Sequence, residues 1–147
     1  MSGLIPLQGD DVNKLVQLHM ASFPLDQAWS PQSFTELLTG DGLIGWRIEV
    51  DGHTAGFILG RIIIDEAELL TLAISPRHRR TGWGEKLVRQ FALTAREKGG
   101  IKVFLEVSEH NEAAIKLYAK AGFRIISRRR NYYPDGSTAH VLQLDLV

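Results

Sequence analysis

Residues 77–87 read Arg-His-Arg-Arg-Thr-Gly-Trp-Gly-Glu-Lys-Leu, and the interpretation of the whole chain starts from this stretch. It follows a short apolar run, residues 67–74, that ends in a Ser-Pro pair, which is typical of a buried strand closing in a turn. Behind it, apolar residues at 87, 88, 91, 92 and 95 fall on one face of a helix that ends near residue 99. The pattern therefore predicts a strand, a basic glycine-containing turn and a helix.

This turn is suited to an anion. Backbone N–H groups at a helix start, together with the positive end of the helix dipole, attract groups such as pyrophosphate. Gly82 and Gly84 lack a Cβ, so a phosphate can approach the backbone closely. Positive charge at the rim comes from Arg79, Arg80 and Lys86. The spacing Arg-x-x-Gly-x-Gly matches neither the dinucleotide motif nor the phosphate-loop motif, and a solvated basic turn explains it equally well.

Composition narrows the function classes. The chain has 147 residues, the length of one domain, and its 17 Lys and Arg balance its 17 Asp and Glu. We therefore expect one domain over residues 1–147, with no nucleic-acid and no membrane partner. The absence of cysteine excludes disulfides, thiol nucleophiles and cysteine-bound metal. It fits a cytoplasmic protein, as does an N-terminus without the pattern of a signal peptide. The composition fits a monomer and a weak dimer equally well.

Upstream of the central turn, the pattern predicts two helices and a hairpin. The helices run from Val12 to about Ser22 and from about Gln32 to Leu38, the second capped by Ser30. Asp51-Gly52 joins two alternating apolar runs, residues 43–50 and 54–64, as in a β-hairpin. Trp29, just before the second helix, is either a hydrophobic plug or part of an acceptor pocket.

Downstream, residues 101–107 predict a strand that carries Glu106 on the face opposite Val103, Leu105 and Val107. A strand between two helices is usually buried on both faces, so we expect Glu106 to lie among apolar neighbours. Burial would raise the pKa of an unpartnered carboxylate into the range of a general base. The alternative is a glutamate at the exposed strand end, paired with a surface lysine.

The last third of the chain predicts a helix and two strands. Asn111 is a candidate N-cap and Gly122 a candidate C-terminal glycine. Tyr118 falls on the apolar face of this helix, where an isolated tyrosine is most simply a core aromatic. Strands follow over residues 123–128 and 139–147, and the basic run 128–130 is typical of a solvated face.

Taken together, these motifs resemble the GNAT family of N-acetyltransferases. The resemblance rests on the strand, the Arg-x-x-Gly-x-Gly turn with its helix, the Leu-Glu-Val strand, and the segment from Asn111 to Phe123, within residues 69–133. The segment Arg129-Arg130-Asn131-Tyr132-Tyr133-Pro134 and the Phe23-Pro24 pair are similar to the RimI-type subgroup, which acetylates the N-terminal alanine of a ribosomal protein.

The resemblance implies an α/β (mixed α+β) fold with a central, mostly antiparallel sheet that splays at the cofactor site between flanking helices. It implies direct transfer of an acetyl group from acetyl-CoA, without a metal, to the N-terminal peptide of an acceptor protein. A lysine or small-amine acceptor remains an alternative, as does a regulatory module that binds acetyl-CoA without turnover.

Site residues follow from the same resemblance. It implies Glu106 as general base and Tyr118 as the acid for the departing thiolate. Backbone groups of one strand would pair with pantetheine, and the following loop would hold the pyrophosphate, with a further contact from the next helix; these positions are Leu72, Ala73, Ile74, Arg79, Arg80, Thr81, Gly82, Trp83, Gly84, Glu85 and Asn111. The acceptor would meet Trp29, Tyr132 and Tyr133. Two departures stand out: Trp83 between the glycines, and residues 26–28, which lengthen the loop before Trp29.

Overall fold

The computed structural model describes residues 2–23 and 29–147. Seven strands form one sheet in the order β1-β2-β3-β4-β5-β7-β6. The strands are β1 (Ser2–Pro6), β2 (Leu43–Val50), β3 (His53–Ile63), β4 (Glu66–Ile74), β5 (Lys102–Ser108), β6 (Arg124–Arg129) and β7 (Ala139–Asp145). The helices are α1 (Val12–Ser22), α2 (Pro31–Leu38), α3 (Trp83–Glu97) and α4 (Glu112–Lys120), with short 3-10 turns at Gly9–Asp11 and Pro76–His78.

Every strand pair in this sheet is antiparallel except β4 with β5. The predicted mixed, mostly antiparallel fold is therefore confirmed. Neighbouring residues of β3 point to opposite faces, and this alternation separates the two apolar cores. Phe57 and Leu59 pack with α1 and α2, whereas Ile58 packs with α3.

Helices α3 and α4 share one face of the sheet. Leu87 and Phe91 of α3 belong to the same core as Tyr118 of α4 and Leu105 of β5. On the opposite face, α1 and α2 pack over β2, β3 and β4. Within the described chain, that face of β5, β7 and β6 has no helix packed over it. Half of the sheet is thus covered on both faces and half on only one.

Local chemistry explains the predicted elements. Ser30 caps α2 by accepting a hydrogen bond of 3.1 Å from the backbone N–H of Ser33. Asp51 and Gly52 both have positive φ, as the tight turn of the predicted β2–β3 hairpin requires. A Cβ at Gly60 would overlap the carbonyl oxygen of Glu68, so this glycine permits the close approach of β3 and β4.

Strand β1, which pairs with β2, has no counterpart among the predicted elements. Residues 24–28, including Pro24 and the lengthened loop segment 26–28, lie outside the described residues. None of the helices that the structure describes has the length and apolar character needed to cross a bilayer.

Candidate active site

Strands β4 and β5 diverge soon after they meet. Their parallel pairing covers Glu66 with Lys102, Ala67 with Val103 and Glu68 with Phe104. Leu59 pairs with Thr71 but Gly60 with Leu69, so Leu70 is an extra, bulged residue of β4 at the point of separation. Between the diverging strands lies a cavity of about 650 Å³. Past Glu68, the edge of β4 that faces the cavity has no strand partner in the described chain, which leaves backbone groups for a bound molecule.

The expectation that Glu106 is buried is wrong. Helices α3 and α4 both cover the other face of β5, so Glu106 points to the uncovered face and its side chain is 29% exposed. Arg129 Nη1 lies 3.1 Å from Glu106 Oε1. The exposed, ion-paired alternative therefore describes the environment of Glu106 better, with an arginine of β6 in place of the lysine.

Two further side chains surround this carboxylate. A hydrogen bond to Glu106 raises the pKa of the Tyr132 hydroxyl, and the Arg129 guanidinium carbon lies 5.3 Å from the centre of the Tyr132 ring. Burial, followed by the charge of Glu106, raises the pKa of Tyr133 to about 12. Both tyrosines therefore keep their hydroxyl protons at ordinary pH, and Tyr132 donates its proton to the Glu106 carboxylate. The basic run 128–130 is exposed, as predicted, but Arg129 also acts locally on the site.

Tyr118 closes the bottom of the cavity. Its side chain is 5% exposed and its ring packs edge-on against Phe123, with centroids 5.5 Å apart. Burial raises the pKa of Tyr118 well above its usual range, with a smaller contribution from Tyr133. The ring is a core aromatic, as an isolated tyrosine on this face suggests, and it also lines the cavity.

A buried histidine lies on the opposite wall. His19 of α1 is 1% exposed, and its Nε2 lies 3.1 Å from Thr71 Oγ1 of β4. Its Nδ1 accepts a hydrogen bond of 3.3 Å from the backbone N–H of Trp29. Burial lowers the pKa of His19 to about 4, so the ring is neutral at ordinary pH.

The position of Trp29 is compatible with both interpretations that the sequence left open. Its ring packs 5.3 Å from that of Phe34 and 5.4 Å from that of His19, which makes it part of the apolar core under α1 and α2. It also lines the cavity. One side chain can therefore plug the core and face an acceptor.

The basic turn lies at the end of β4 and leads into α3. Arg80 has φ +62° and Gly82 has φ +83°, so this loop contains two left-handed residues. Gly82 is the N-cap of α3 and contributes no side-chain hydrogen bond, so the first N–H groups of the helix have no cap within the described chain. Because nothing lies within 4 Å of a Cβ built on Gly82, the space above it is open. This geometry fits a diphosphate.

The second glycine of the turn also has a packing role, which the sequence did not predict. A Cβ on Gly84 would lie 3.1 Å from Leu117 Cδ2, so Gly84 permits the packing of α3 against α4. Hydrogen bonds from Arg89 and then Lys120 lower the pKa of Glu85, so its carboxylate stays ionised while these two cations offset its charge. Its oxygens lie 2.7 Å and 3.3 Å from these two cations, so an anion at the helix start meets little net repulsion.

Asn111 caps α4 as predicted, with Oδ1 accepting a hydrogen bond of 3.2 Å from the N–H of Ala114. It lies at the rim of the cavity, which leaves its amide NH₂ for a ligand. No group of three or more His, Asp or Glu side chains is placed to hold a metal ion in the part of the chain that the structure describes.

The structure brings some of the sequence-predicted residues together and leaves others apart. Those that line the cavity are Trp29, Leu72, Glu106, Asn111, Tyr118 and Tyr133. Those that lie outside its lining are Ala73, Ile74, Arg79, Arg80, Thr81, Gly82, Trp83, Gly84, Glu85 and Tyr132. Arg79 still acts on the strand, because its Nε donates to the carbonyl oxygen of Ile74 at 3.3 Å. Trp83, the residue that departs from the motif, makes a cation–π contact, because Lys86 Nζ lies 4.9 Å from the centre of its ring.

Sequence reasoning missed His19, Thr71 and the pairing of Arg129 with Glu106. A histidine at an apolar position of a helix stripe was the only signal for His19, and an apolar position does not distinguish a core residue from a cavity residue. Thr71 is a single polar residue within an apolar strand, where a hydroxyl needs a partner. That signal indicates a buried polar contact but does not name its partner.

Comparison with known proteins places this geometry in a family. The model of the Acetyltransferase (GNAT) family matches residues 12–123. The ribosomal protein bS18-alanine N-acetyltransferase of Escherichia coli strain K12 is 33% identical over 106 residues, which cover 72% of this chain and 71% of the relative. The protein of the same name from Haemophilus influenzae is 34% identical over 109 residues, covering 73% and 74%.

Solved structures agree with the sequence comparison. The crystal structure of the ribosomal-protein-S18-alanine N-acetyltransferase from Escherichia coli superposes with a TM-score of 0.92 at 28% identity, covering 99% of this chain and 94% of that one. That of Ard1 from Thermoplasma volcanium gives 0.88 at 27% identity, covering 99% and 98%. The divergent strands, the glycine turn and these likenesses lead to one conclusion: the chain is a member of the GNAT family of acetyltransferases.

Proposed function

We propose that this acetyltransferase transfers the acetyl group of acetyl-CoA to the N-terminal α-amine of a protein, with alanine as the preferred first residue and a ribosomal protein as the acceptor. The RimI-type relatives, which are named for this reaction, support the proposal. The observation that carries it is the cavity between β4 and β5, which is lined by both Glu106 and Tyr118. A ribosomal acceptor would place the reaction in the cytoplasm.

The donor is held mainly by backbone groups. The uncapped N–H groups at the start of α3 and the open space over Gly82 suit the diphosphate of acetyl-CoA. The unpaired edge of β4 from Leu72 to Ile74 suits the amides of pantetheine, which would add to the sheet as a short strand does. Arg79 stabilises this edge by holding the carbonyl of Ile74. A backbone N–H near Ile74 would then polarise the thioester carbonyl.

Glu106 prepares the acceptor. An α-ammonium group has a pKa of about 8, so much of it is protonated at neutral pH and cannot attack a carbonyl. Glu106 accepts that proton, directly or through one water, and passes it to solvent, and the amine nitrogen then bonds to the thioester carbon. As the amide forms and the carbon–sulfur bond breaks, the nitrogen loses a second proton, which goes to the same carboxylate or its water. Arg129 pairs with the carboxylate and so holds it in place at the cavity before the acceptor arrives.

Tyr118 assists the leaving group. When the carbon–sulfur bond breaks, sulfur leaves with the electron pair as a thiolate. Because burial raises the pKa of Tyr118, full transfer of its proton to a thiolate with a conjugate pKa near 8.5 is unfavourable. The hydroxyl therefore stabilises the thiolate mainly by donating a hydrogen bond, and the thiolate takes a proton from solvent as it departs. We expect Tyr118 to aid the reaction without being indispensable.

The acceptor peptide would enter between the two side walls of the cavity. Trp29 and Tyr133 both line it and offer apolar surface for a small first side chain such as that of alanine. Tyr132, which is 47% exposed, would meet the following residues of the peptide.

An acetyl-CoA turnover assay with mass-spectrometric readout tests the proposal. It compares a short peptide that begins with free alanine with the same peptide blocked at its N-terminus and carrying one lysine. Acetylation of the free-alanine peptide alone is the expected result. Acetylation of the blocked peptide at lysine would instead support a side-chain acceptor. Acetyl-CoA binding without turnover of either peptide would contradict the N-terminal assignment and favour a small amine or a regulatory module.

A further inference from the structure

The hydrogen bonds of His19 fix the tautomer of its ring. The backbone N–H of Trp29 can only donate, so Nδ1 must be the acceptor in their 3.3 Å contact. A neutral imidazole carries its proton on the other nitrogen, so Nε2–H donates to Thr71 Oγ1 at 3.1 Å. The ring is also held by stacking on Phe23, with centroids 4.2 Å apart. His19 is therefore a rigid donor.

Because His19 donates, the hydroxyl proton of Thr71 is left for another partner. A hydroxyl has one proton and two acceptor lone pairs, and His19 occupies one lone pair. Among residues 2–23 and 29–147, no acceptor takes the Thr71 proton. Thr71 is 6% exposed and lines the cavity, so its hydroxyl is placed to donate to a molecule bound there.

Thr71 and Glu106 lie on the same side of the sheet. Thr71 faces α1 through its contact with His19, and Glu106 points to the face opposite α3 and α4. These two side chains stand on the two diverging strands that enclose the cavity. A group held between them meets a hydroxyl donor on one wall and a carboxylate acceptor on the other.

We propose that the Thr71 hydroxyl donates a hydrogen bond to the carbonyl oxygen of the acceptor's first residue, and that His19 is the positioning residue that aims this hydroxyl. This inference rests on the proposed N-terminal acetylation and names the group that recognises the acceptor. The attacking nitrogen is a poor partner for Thr71, because a donor there would occupy the lone pair that must attack the thioester. The first carbonyl is attached to the same α-carbon as that nitrogen, whereas a lysine side-chain amine has no carbonyl near it. Thr71 thus distinguishes an α-amine from a side-chain amine.

The test removes the hydroxyl and the carbonyl separately. Two acceptors are compared: a peptide that begins with alanine, and the same peptide with its first peptide bond replaced by a trans-alkene, which keeps the shape and the amine but has no carbonyl oxygen. Thr71→Val should lower kcat/KM about tenfold on the peptide and leave the alkene analogue within about twofold of wild type. Thr71→Ser, which restores the hydroxyl, should recover most of the activity on the peptide.

His19 and a remote threonine complete the experiment. His19→Leu removes the hydrogen bond that orients the Thr71 hydroxyl. It should therefore lower kcat/KM for the peptide by a smaller factor than Thr71→Val does, and it should leave kcat/KM for the alkene analogue unchanged. Thr35→Val is the matched control, since the Thr35 hydroxyl bonds only the backbone of Pro31 on the exposed side of α2. The KM for acetyl-CoA, measured for every variant, shows that the fold is intact.

Three results would overturn the inference. Equal losses on both acceptors would make Thr71 a structural residue. Full activity of Thr71→Val on the peptide, with wild type acetylating the N-terminus, would remove Thr71 from acceptor recognition but leave the proposed function standing. Failure of wild type to acetylate the free-alanine peptide at all would end both proposals.

Discussion

The two ends of the cavity are built in different ways. At the donor end, backbone groups dominate: the free edge of β4, the left-handed Gly82 and the uncapped start of α3. At the acceptor end, side chains from distant parts of the chain meet, with His19 from α1 opposite Glu106 from β5. A backbone site places few demands on side-chain identity, whereas a side-chain site changes with each substitution. We therefore propose that the donor end is common to the family and that the acceptor end determines which amine is acetylated.

If this division is correct, acceptor-end variants should leave the KM for acetyl-CoA unchanged, and donor-end variants should leave the KM for the acceptor unchanged. The largest effect is expected at Glu106. Glu106→Gln removes the proton acceptor, so kcat/KM for an alanine peptide at neutral pH should fall about 100-fold. Initial rates at varied peptide and acetyl-CoA concentrations measure it.

The control for that experiment is Glu109→Gln. Glu109 is an exposed carboxylate just beyond the same strand, where it accepts a hydrogen bond from the N–H of Thr138 that a glutamine oxygen can also accept. It should behave as wild type. A Glu106→Gln enzyme within twofold of wild type would mean that another group takes the proton.

The next effect concerns stability rather than rate. Burial lowers the pKa of His19 to about 4, whereas an unfolded histidine titrates near 6.5. Between these values the unfolded chain binds a proton that the native protein does not. The contribution of neutral His19 to the free energy of unfolding is therefore fully present above pH 6.5. It decreases as the pH falls toward 4, by about 3 kcal/mol at most.

His19→Gln removes this proton uptake. Urea unfolding at pH 7.5 and pH 4.5 should show a smaller fall in the free energy of unfolding for His19→Gln than for wild type, because the carboxylates of the chain contribute equally to both. An identical fall in the two proteins would show that His19 is protonated in the native state.

At the donor end, Gly82→Ala tests the backbone site. A φ of +83° is unfavourable for alanine by about 1–2 kcal/mol, so the loop should populate its binding conformation less and the KM for acetyl-CoA should rise about tenfold. Gly82→Asn should do less harm, because asparagine tolerates the left-handed region. Equal, wild-type KM values for both variants would show that the loop does not need this conformation for binding.

The smallest effect is expected at Arg129. Its ion pair with Glu106 is partly exposed, and such pairs contribute at most about 1 kcal/mol, so Arg129→Gln should lower kcat/KM about threefold. The difference from wild type should shrink in high salt, which screens the pair. Arg130→Gln is the neighbouring control, and an equal loss there would indicate a general effect of positive charge.

The division between the two ends also explains what the sequence could predict. The strand, turn and helix of the donor end are contiguous, so residues 67–97 predict them from apolar periodicity and two glycines. The caps Ser30 and Asn111 were predictable for the same reason, since each bonds a residue three positions away.

The exposure of Glu106 and the contact of His19 with Thr71 could not be predicted, because both depend on how distant elements pack on the two faces of the sheet. Glu106 is exposed because α3 and α4 share one face, and the local pattern of β5 contains no information on where the adjacent helices pack. The contact of His19 with Thr71 joins residues 52 positions apart, and nothing local in either segment specifies it. Strand β1 was missed because five residues with a glycine and a proline make a weak periodic signal.

Strand β6 has a further consequence for how the protein behaves in solution. It is an outer strand of the sheet, exposed along its whole length, with isoleucines at 125 and 126. An unpaired edge of this kind invites pairing with the same edge of another molecule, and closely spaced positive charges oppose that association. Arg124 and Arg129 are paired with Asp145 and Glu106, so Arg128 is the arginine of this strand whose charge has no carboxylate partner in the described chain. We therefore expect a variant that loses these arginines to self-associate more readily through this edge.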